Sequence, residues 1–206
     1  MAPGSKRMSA EARKQQIVEV TLGLIAKHGL RGATMSRIAA GAGIRQASLY
    51  THFASRREIL LAALDAVYLK VSASRDTPTT ENSLERLRRM CDHHLELWST
   101  QGERHHAHQL LEFIAGAHSE DLREAVAAKH RESIEQFAQV VRDGQDEGLV
   151  SDGVDADQVA WLVNGWAFAG DIAHVLGFKQ FLEPNIAAHW LDVIFASFEP
   201  PKQNAT

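Results

Sequence analysis

The sequence predicts an all-α chain of about nine helices: an N-terminal three-helix domain with a helix-turn-helix, then a larger C-terminal helical domain. Three observations lead there. Apolar residues recur three and four apart through most of the chain, and no stretch shows the sustained alternation of a half-buried strand. Helix starts and stops are marked by capping side chains and glycines. A polar break at residues 74–80, with Pro78 inside it, separates the two parts.

Taken in order, Ser9 caps a first helix through Ile17, Val20, Leu24 and Ile25, and Gly29 is its stop. Thr34 caps a short helix, Met35 to Ala40. A Gly41-Ala42-Gly43 turn leads into a second short helix, about Arg45 to Thr51. Ser55 and Glu58 have capping-box spacing ahead of Ile59, Leu60, Ala63, Leu64 and Val67. This fourth helix, about 56–73, bridges domains expected at 1–58 and 59–206. Asn82 and Glu85 open a helix toward Trp98, Gly102 interrupts it, and His105 to Ala117 form the next. Ser119 is expected to cap a long helix, with Glu120 and Asp121 where the helix dipole favours acids. Its stripe is Leu122, Val126, Ile134, Phe137 and Val141, and Gly148 ends it. Asp155 and Gln158 start an apolar helix, Val159 to Gly177. Its Asn164, Asp171 and His174 argue for a buried helix in a soluble protein rather than a membrane span. Pro184 suits the first position of a last helix through Ile186, Trp190 and Ile194.

Composition narrows the function classes. Hydrophobic residues at 45% and charged residues at 23% are ordinary for a globular protein. The single Cys91 builds neither an internal disulfide nor a cysteine zinc site, which fits a reducing cytoplasm. No apolar core follows Lys6 and Arg7, so no secretory signal is read. The chain has no glycine-rich phosphate loop, His-Glu-x-x-His or nucleophile elbow; no enzyme, catalytic residue or cofactor is expected. The net charge of −4 hides an asymmetry. Residues 1–58 carry ten Lys and Arg against three acids, a net +7, which leaves −11 for the remainder. A basic head on an acidic body is the layout of a DNA-binding domain joined to something else.

The segment Thr34–Phe53 concentrates the chemistry. Ile38, Ala39, Ile44 and Leu49 are spaced to face one another across the turn, and Gly43 supplies its backbone freedom. The second helix offers Arg45, Gln46, Ser48, Tyr50 and His52, which can hydrogen-bond to base edges and phosphates in a major groove. Tyr50 reads equally well as a packing residue. Leu49 and Phe53 read as core.

Residues 9–64 resemble the DNA-binding domain of the tetracycline-repressor (TetR) family. The shared pattern is Gly29, the Thr34 cap, Ile38-Ala39, Ala42-Gly43, Leu49-Tyr50, His52-Phe53, then a basic residue and Ile59-Leu60. The passage from Gln145–Gly148 into Asp155–Gly170 is similar to the family's step from its seventh helix to its eighth. The resemblance implies that Gln46 and Ser48 touch base edges or adjoining backbone, and that Tyr50 and His52 contact phosphate or base. It places Thr34, Arg37 and Arg56 on phosphates and makes Lys6 and Arg7 a basic arm. Two positions depart from the pattern. Arg45 stands where serine is usual, so the recognition helix lacks its ordinary cap. Ala47 stands where glycine or proline is common.

The resemblance further implies a homodimer on a palindromic double-stranded operator, paired through the last two helices. Gly165, Trp166, Ala169, Gly170, Ala173, Trp190, Ile194 and Phe198 are the expected interface; the alternative is that they form the subunit's own core. Repression, relieved by a small apolar or aromatic effector, is the expected function. Met90, His94, Trp98, Phe113, Phe137, Asn164 and Phe168 are the candidates for its cavity. The protein is expected in the cytoplasm, on the nucleoid when DNA-bound. Two alternatives stay open. His93, His94, His105, His106, His108 and His118 raise a metal sensor, since His105 and His108 lie one turn apart, although no paired cysteine or carboxylate completes a site. A helical scaffold is the other.

Overall fold

The computed structural model describes residues 8–72, 80–99, 106–178, 180, 183–198 and 200. Among them are nine helices and no strand: α1 Ala10–Gly32, α2 Met35–Gly41, α3 Gln46–Leu49, α4 Arg56–Ser72, α5 Ser83–Ser99, α6 His106–Gly116, α7 Arg123–Asp146, α8 Ala156–Leu176 and α9 Pro184–Ala196. Lys6, Arg7, Gly102, His105 and most of the expected break at 74–80 lie outside the described residues.

Local capping chemistry sets most helix ends. Ser9 Oγ accepts from the Ala12 N–H at 3.1 Å, and Thr34 Oγ1 from Arg37 at 3.3 Å. Asn82 and Glu85 cap reciprocally: Oδ1 of Asn82 accepts from Glu85 N–H at 2.9 Å, and Oε2 of Glu85 from Asn82 N–H at 3.1 Å. Ser55 Oγ accepts from Glu58 N–H, while the Glu58 carboxylate reaches back to Ala54, one residue beyond the usual box. Asp155 Oδ1 accepts from Asp157 and Gln158 at 2.8 and 3.1 Å. Gly29 is the expected stop, with φ 70 and ψ 171, yet a short further turn carries α1 on to Gly32.

The long seventh helix starts later than predicted. Ser119 does not cap it; its hydroxyl donates to the Gly116 carbonyl at 3.1 Å, and α7 begins at Arg123. Asp121 between them takes a left-handed φ of 54, incompatible with a continuing right-handed helix.

The chain divides into two compact units. The first holds the described residues up to Val67 together with Gln109–Val126; the second holds Tyr68–His108 and the residues from Ala127 onward. In the first, Ile17, Ile25, Leu30, Ile38, Leu49, Ile59, Leu60 and Leu64 are fully buried. The segment from α6 is tied in by polar contacts. Gln109 Nε2 donates to the Leu22 carbonyl at 3.2 Å, and Glu112 Oε2 accepts from the Leu30 N–H at 3.0 Å. In the second unit α5, α8 and α9 pack on one another around Leu87, Met90, Phe137, Val163, Leu191 and Phe195.

Candidate DNA-reading surface and effector centre

The helix-turn-helix folds as its apolar spacing requires. Ile38, Ala39, Ala42 and Leu49 are buried, and Gly43 turns the chain with φ 67. Gly41 lets α2 approach α1: a Cβ there would lie 2.6 Å from Cγ1 of Val20. What remains outside is polar. Thr34, Arg37, Arg45, Gln46, Ala47 and Tyr50 are exposed, and Ser48 and His52 are half-buried. Arg45 holds the N-cap position of α3 in extended backbone with no side-chain capping bond, so its guanidinium is not spent on the helix start. Tyr50 is 55% exposed, which is unlike a packing residue.

Arg56 departs from its expected phosphate role. Its Nε donates to the Ala33 carbonyl at 2.8 Å, Nη2 to the Leu30 carbonyl at 2.7 Å, and Nη1 to the Glu120 carboxylate. The guanidinium is thus turned inward, closing the C-terminal carbonyls of α1. Arg57, alongside, has its Nε 4.0 Å from the Asp121 carboxylate and donates from Nη2 to the Asp121 carbonyl at 3.3 Å, both in the open.

The expected dimer residues split by helix face. Gly165, Ala169 and Trp190 are exposed, but Trp166, Gly170, Ala173, Ile194 and Phe198 are buried inside the subunit. The inward set lies against the unit's own core, so it is unavailable to a partner. The outward stripe of α8 is Trp161, Gly165, Ala169, Ile172 and Leu176, spaced four, four, three and four apart; Leu162 is exposed beside it. On α9 it is Ile186, Trp190 and Val193. Gly170 and Ala173 lie on the opposite, inward side of the helix.

The expected effector residues fall in both units. Phe113 is fully buried in the first unit, and Met90 and Phe137 are core of the second. Asn164 and Phe168 gather instead around His130, which packs edge-on to Phe168 at 5.0 Å and lies 3.5 Å from the Tyr68 hydroxyl. Burial holds the His130 pKa below its ordinary value, against a hydrogen bond with Asn164, and pushes Tyr68 up to about 12. An open concavity of about 610 Å³, lined by Phe178, Gln180, Glu183 and Ile186, includes none of the expected residues.

His94 and Trp98 belong to a different cluster, and its other members were missed. Asp171 of α8 is 1% exposed, and its Oδ1 accepts from Trp98 Nε1 at 2.8 Å. His94 Nε2 lies 3.4 Å from the same oxygen. Trp166 packs 5.3 Å from Trp98, and His106 6.4 Å from His94. Burial pushes the Asp171 carboxyl up, but His94, the charge of His106 and the Trp98 N–H together hold it below the ordinary carboxylate range. A lone acid in an apolar run gives no sequence signal of such a role. The histidines otherwise scatter. His93 donates to the Lys70 carbonyl at 2.8 Å, and His108 stacks edge-on to His174. Among the described residues no three His, Cys, Asp or Glu side chains are placed to hold a metal. Cys91 is buried, its thiol pushed up to about 12 by burial and then Asp92, with Arg88 opposing.

Gly170 is what lets Trp98 lie on α8, since a Cβ there would fall 1.9 Å from the indole ring. Gly170→Ala is therefore expected to displace Trp98 from Asp171 and cost about 2–4 kcal/mol. Urea unfolding followed by tryptophan fluorescence reads this; an unchanged midpoint would mean that the indole has another resting place.

Two family models match the chain. Residues 17–63 match the bacterial regulatory proteins of the tetR family, and residues 83–166 match the C-terminal domain of BetI-type transcriptional repressors. Among curated relatives, the transcriptional repressor KstR2 of Mycobacterium tuberculosis is 29% identical over 155 residues, 72% of this chain and 74% of that protein. Among solved structures, a TetR regulator from Chloroflexus aurantiacus superposes with a TM-score of 0.77 at 19% identity, covering 93% of this chain and 98% of that one. A transcriptional regulator from Saccharomonospora viridis, in complex with choline, gives 0.74 at 24% identity, covering 94% and 100%. The basic helix-turn-helix head, the all-helical body and both family matches agree: the chain belongs to the TetR family of transcriptional regulators.

Proposed function

We propose that the chain is a repressor that binds a palindromic operator as a homodimer and leaves it when a small molecule occupies the second unit. The observation that carries the DNA reading is the polar outer side of α3 on a basic head, with Arg45, Gln46 and Tyr50 in solvent. Arg45, Gln46, Ser48 and Tyr50 enter the major groove, and Thr34, Arg37 and His52 hold the backbone on either side. Ala47, exposed and small, leaves room for close approach.

A recognition helix of one turn spans few base pairs. Two of them, roughly 34–36 Å apart on one face of the duplex, read a two-fold site. The outward stripes of α8 and α9 support this, because an isologous pair needs one self-complementary apolar patch. Repression is supported by the name of the M. tuberculosis relative, and a small-molecule response by the choline held in the S. viridis regulator. The effector must favour a conformation that DNA disfavours. The protein acts in the cytoplasm, on the nucleoid when DNA-bound.

Gln46→Ala and Tyr50→Phe test the contacts on duplexes enriched from a random pool. Each is expected to weaken binding about 5–30-fold, the worth of one base or phosphate contact, and to leave the dimer intact. Unchanged affinity removes that residue from the interface. In vitro transcription from a promoter carrying the enriched site is expected to fall on adding protein; a rise would contradict repression.

A further inference from the structure

The first turn of α4 carries two adjacent arginines with opposite surroundings. Arg56 is committed to the fold: Nε, Nη1 and Nη2 each already hold an acceptor, on Ala33, Glu120 and Leu30. Its bond to Ala33 also fixes where this end of α4 lies. Thr34 follows Ala33 directly and caps α2, so the two helix starts are neighbours. Arg37 returns to the same turn, its Nη1 donating to the Gly32 carbonyl at 3.4 Å. The corner that the DNA reading gives to the phosphate backbone, through Thr34 and Arg37, therefore includes the start of α4. Arg57 is the next residue there, and it is exposed.

Arg57 rests against Asp121, in the turn between α6 and α7. Among the described residues Asp121 is the non-glycine residue with positive φ, at 54. In that conformation its carbonyl accepts from Arg57 Nη2 at 3.3 Å and its carboxylate lies 4.0 Å from Arg57 Nε. The two side chains are 54% and 99% exposed. An ion pair that long and that wet holds its partners weakly. Duplex DNA presents one charge about every 1.7 Å of its axis and releases counterions when a cation neutralises it, a much stronger demand on a guanidinium. Glu58, the next acid on α4, is engaged instead with the Ala54 N–H.

We propose that Arg57, rather than Arg56, is the phosphate contact at the start of α4, and that Asp121 is its competitor within the subunit. In the free protein the Asp121 carboxylate stands where a phosphate oxygen would be; on DNA Arg57 leaves it for the backbone. The carboxylate stays in water throughout, so the exchange buries no charge. The proposal rests on the DNA reading above. It adds to that reading one contact that carries no sequence information and one acid that sets the strength of the contact.

The test measures binding of the full chain to two duplexes of equal length, one enriched from a random pool and one unrelated, between about 50 and 200 mM salt. Arg57→Met is expected to weaken both duplexes alike, about tenfold at the low-salt end. It is also expected to flatten the fall of log affinity with log salt by about one per subunit. Gln46→Ala, a base contact, is expected to weaken the enriched duplex and spare the unrelated one. Asp121→Asn is expected to tighten both duplexes about three- to tenfold. Asparagine adopts left-handed backbone as readily as aspartate, so the turn is kept. In the Arg57→Met background the same Asp121→Asn change is expected to lose most of its effect, because a competitor acts only through the group it competes for. An unchanged salt slope in Arg57→Met, or a loss confined to the enriched duplex, would overturn the phosphate contact. Equal tightening by Asp121→Asn in both backgrounds would overturn the competition and leave only general repulsion. Wild-type protein that binds neither duplex would overturn the DNA reading and this proposal together; wild-type binding with an indifferent Arg57 overturns this proposal alone.

Discussion

Ala169→Glu is expected to yield a folded monomer that binds a palindromic duplex at least about a thousand-fold more weakly than the native protein. Ala169 lies in the middle of the outward stripe of α8, between Trp161 and Gly165 on one side and Ile172 and Leu176 on the other. In a single subunit the new carboxylate faces water, and folding is unaffected. In a two-fold pair it enters the interface twice, each time unpaired and removed from water. A buried unpaired charge costs about 3–5 kcal/mol, so two exceed what a thousand-fold loss requires. Light scattering on a sizing column reads the mass, and anisotropy on a labelled duplex reads the affinity. A dimer that survives the substitution would place the interface elsewhere.

Arg56→Met is expected to cost the first unit about 2–4 kcal/mol. The methionine keeps the aliphatic stem but takes the guanidinium donors from the Ala33 and Leu30 carbonyls, leaving Leu30 only the Ala33 N–H at 3.3 Å, and leaves Glu120 without its partner. Arg57→Met is the control. Its ion pair with Asp121 is 4.0 Å long and its 3.3 Å hydrogen bond to the Asp121 carbonyl is exposed, so their loss is expected to change stability by less than about 0.5 kcal/mol. Urea unfolding followed by far-UV dichroism separates the two. An Arg56→Met variant of native stability but weakened DNA binding would return Arg56 to the phosphate backbone.

The features legible in the sequence were those decided within a few residues. Ser9, Thr34 and Asp155 cap because their oxygens meet N–H groups two or three residues on, and the structure has those bonds. The buried faces of the helix-turn-helix followed from Ile38, Ala39 and Leu49 in the same way. Features set by distant partners were not legible. Arg56 reads as a surface base until Glu120, sixty-four positions away, is brought to it. Ser119 reads as a cap, but the left-handed Asp121 delays α7 to Arg123. On α8 the small residues occur on both faces. Gly170 accommodates Trp98 inside the subunit, while Gly165 and Ala169 face outward; composition does not separate those uses. Asp171 and Trp166 were missed for a related reason, since a single acid and a tryptophan in an apolar helix read as a membrane check and as bulk.

The measurement that bears most directly on the DNA-reading dimer is selection of bound sequences from a random duplex pool at near-physiological salt. Enrichment of an inverted repeat is expected, with half-site centres about 10 base pairs apart or a multiple of that, and with affinity falling steeply as salt rises. A folded, dimeric protein that enriches no sequence, or binds without dependence on salt, would contradict it.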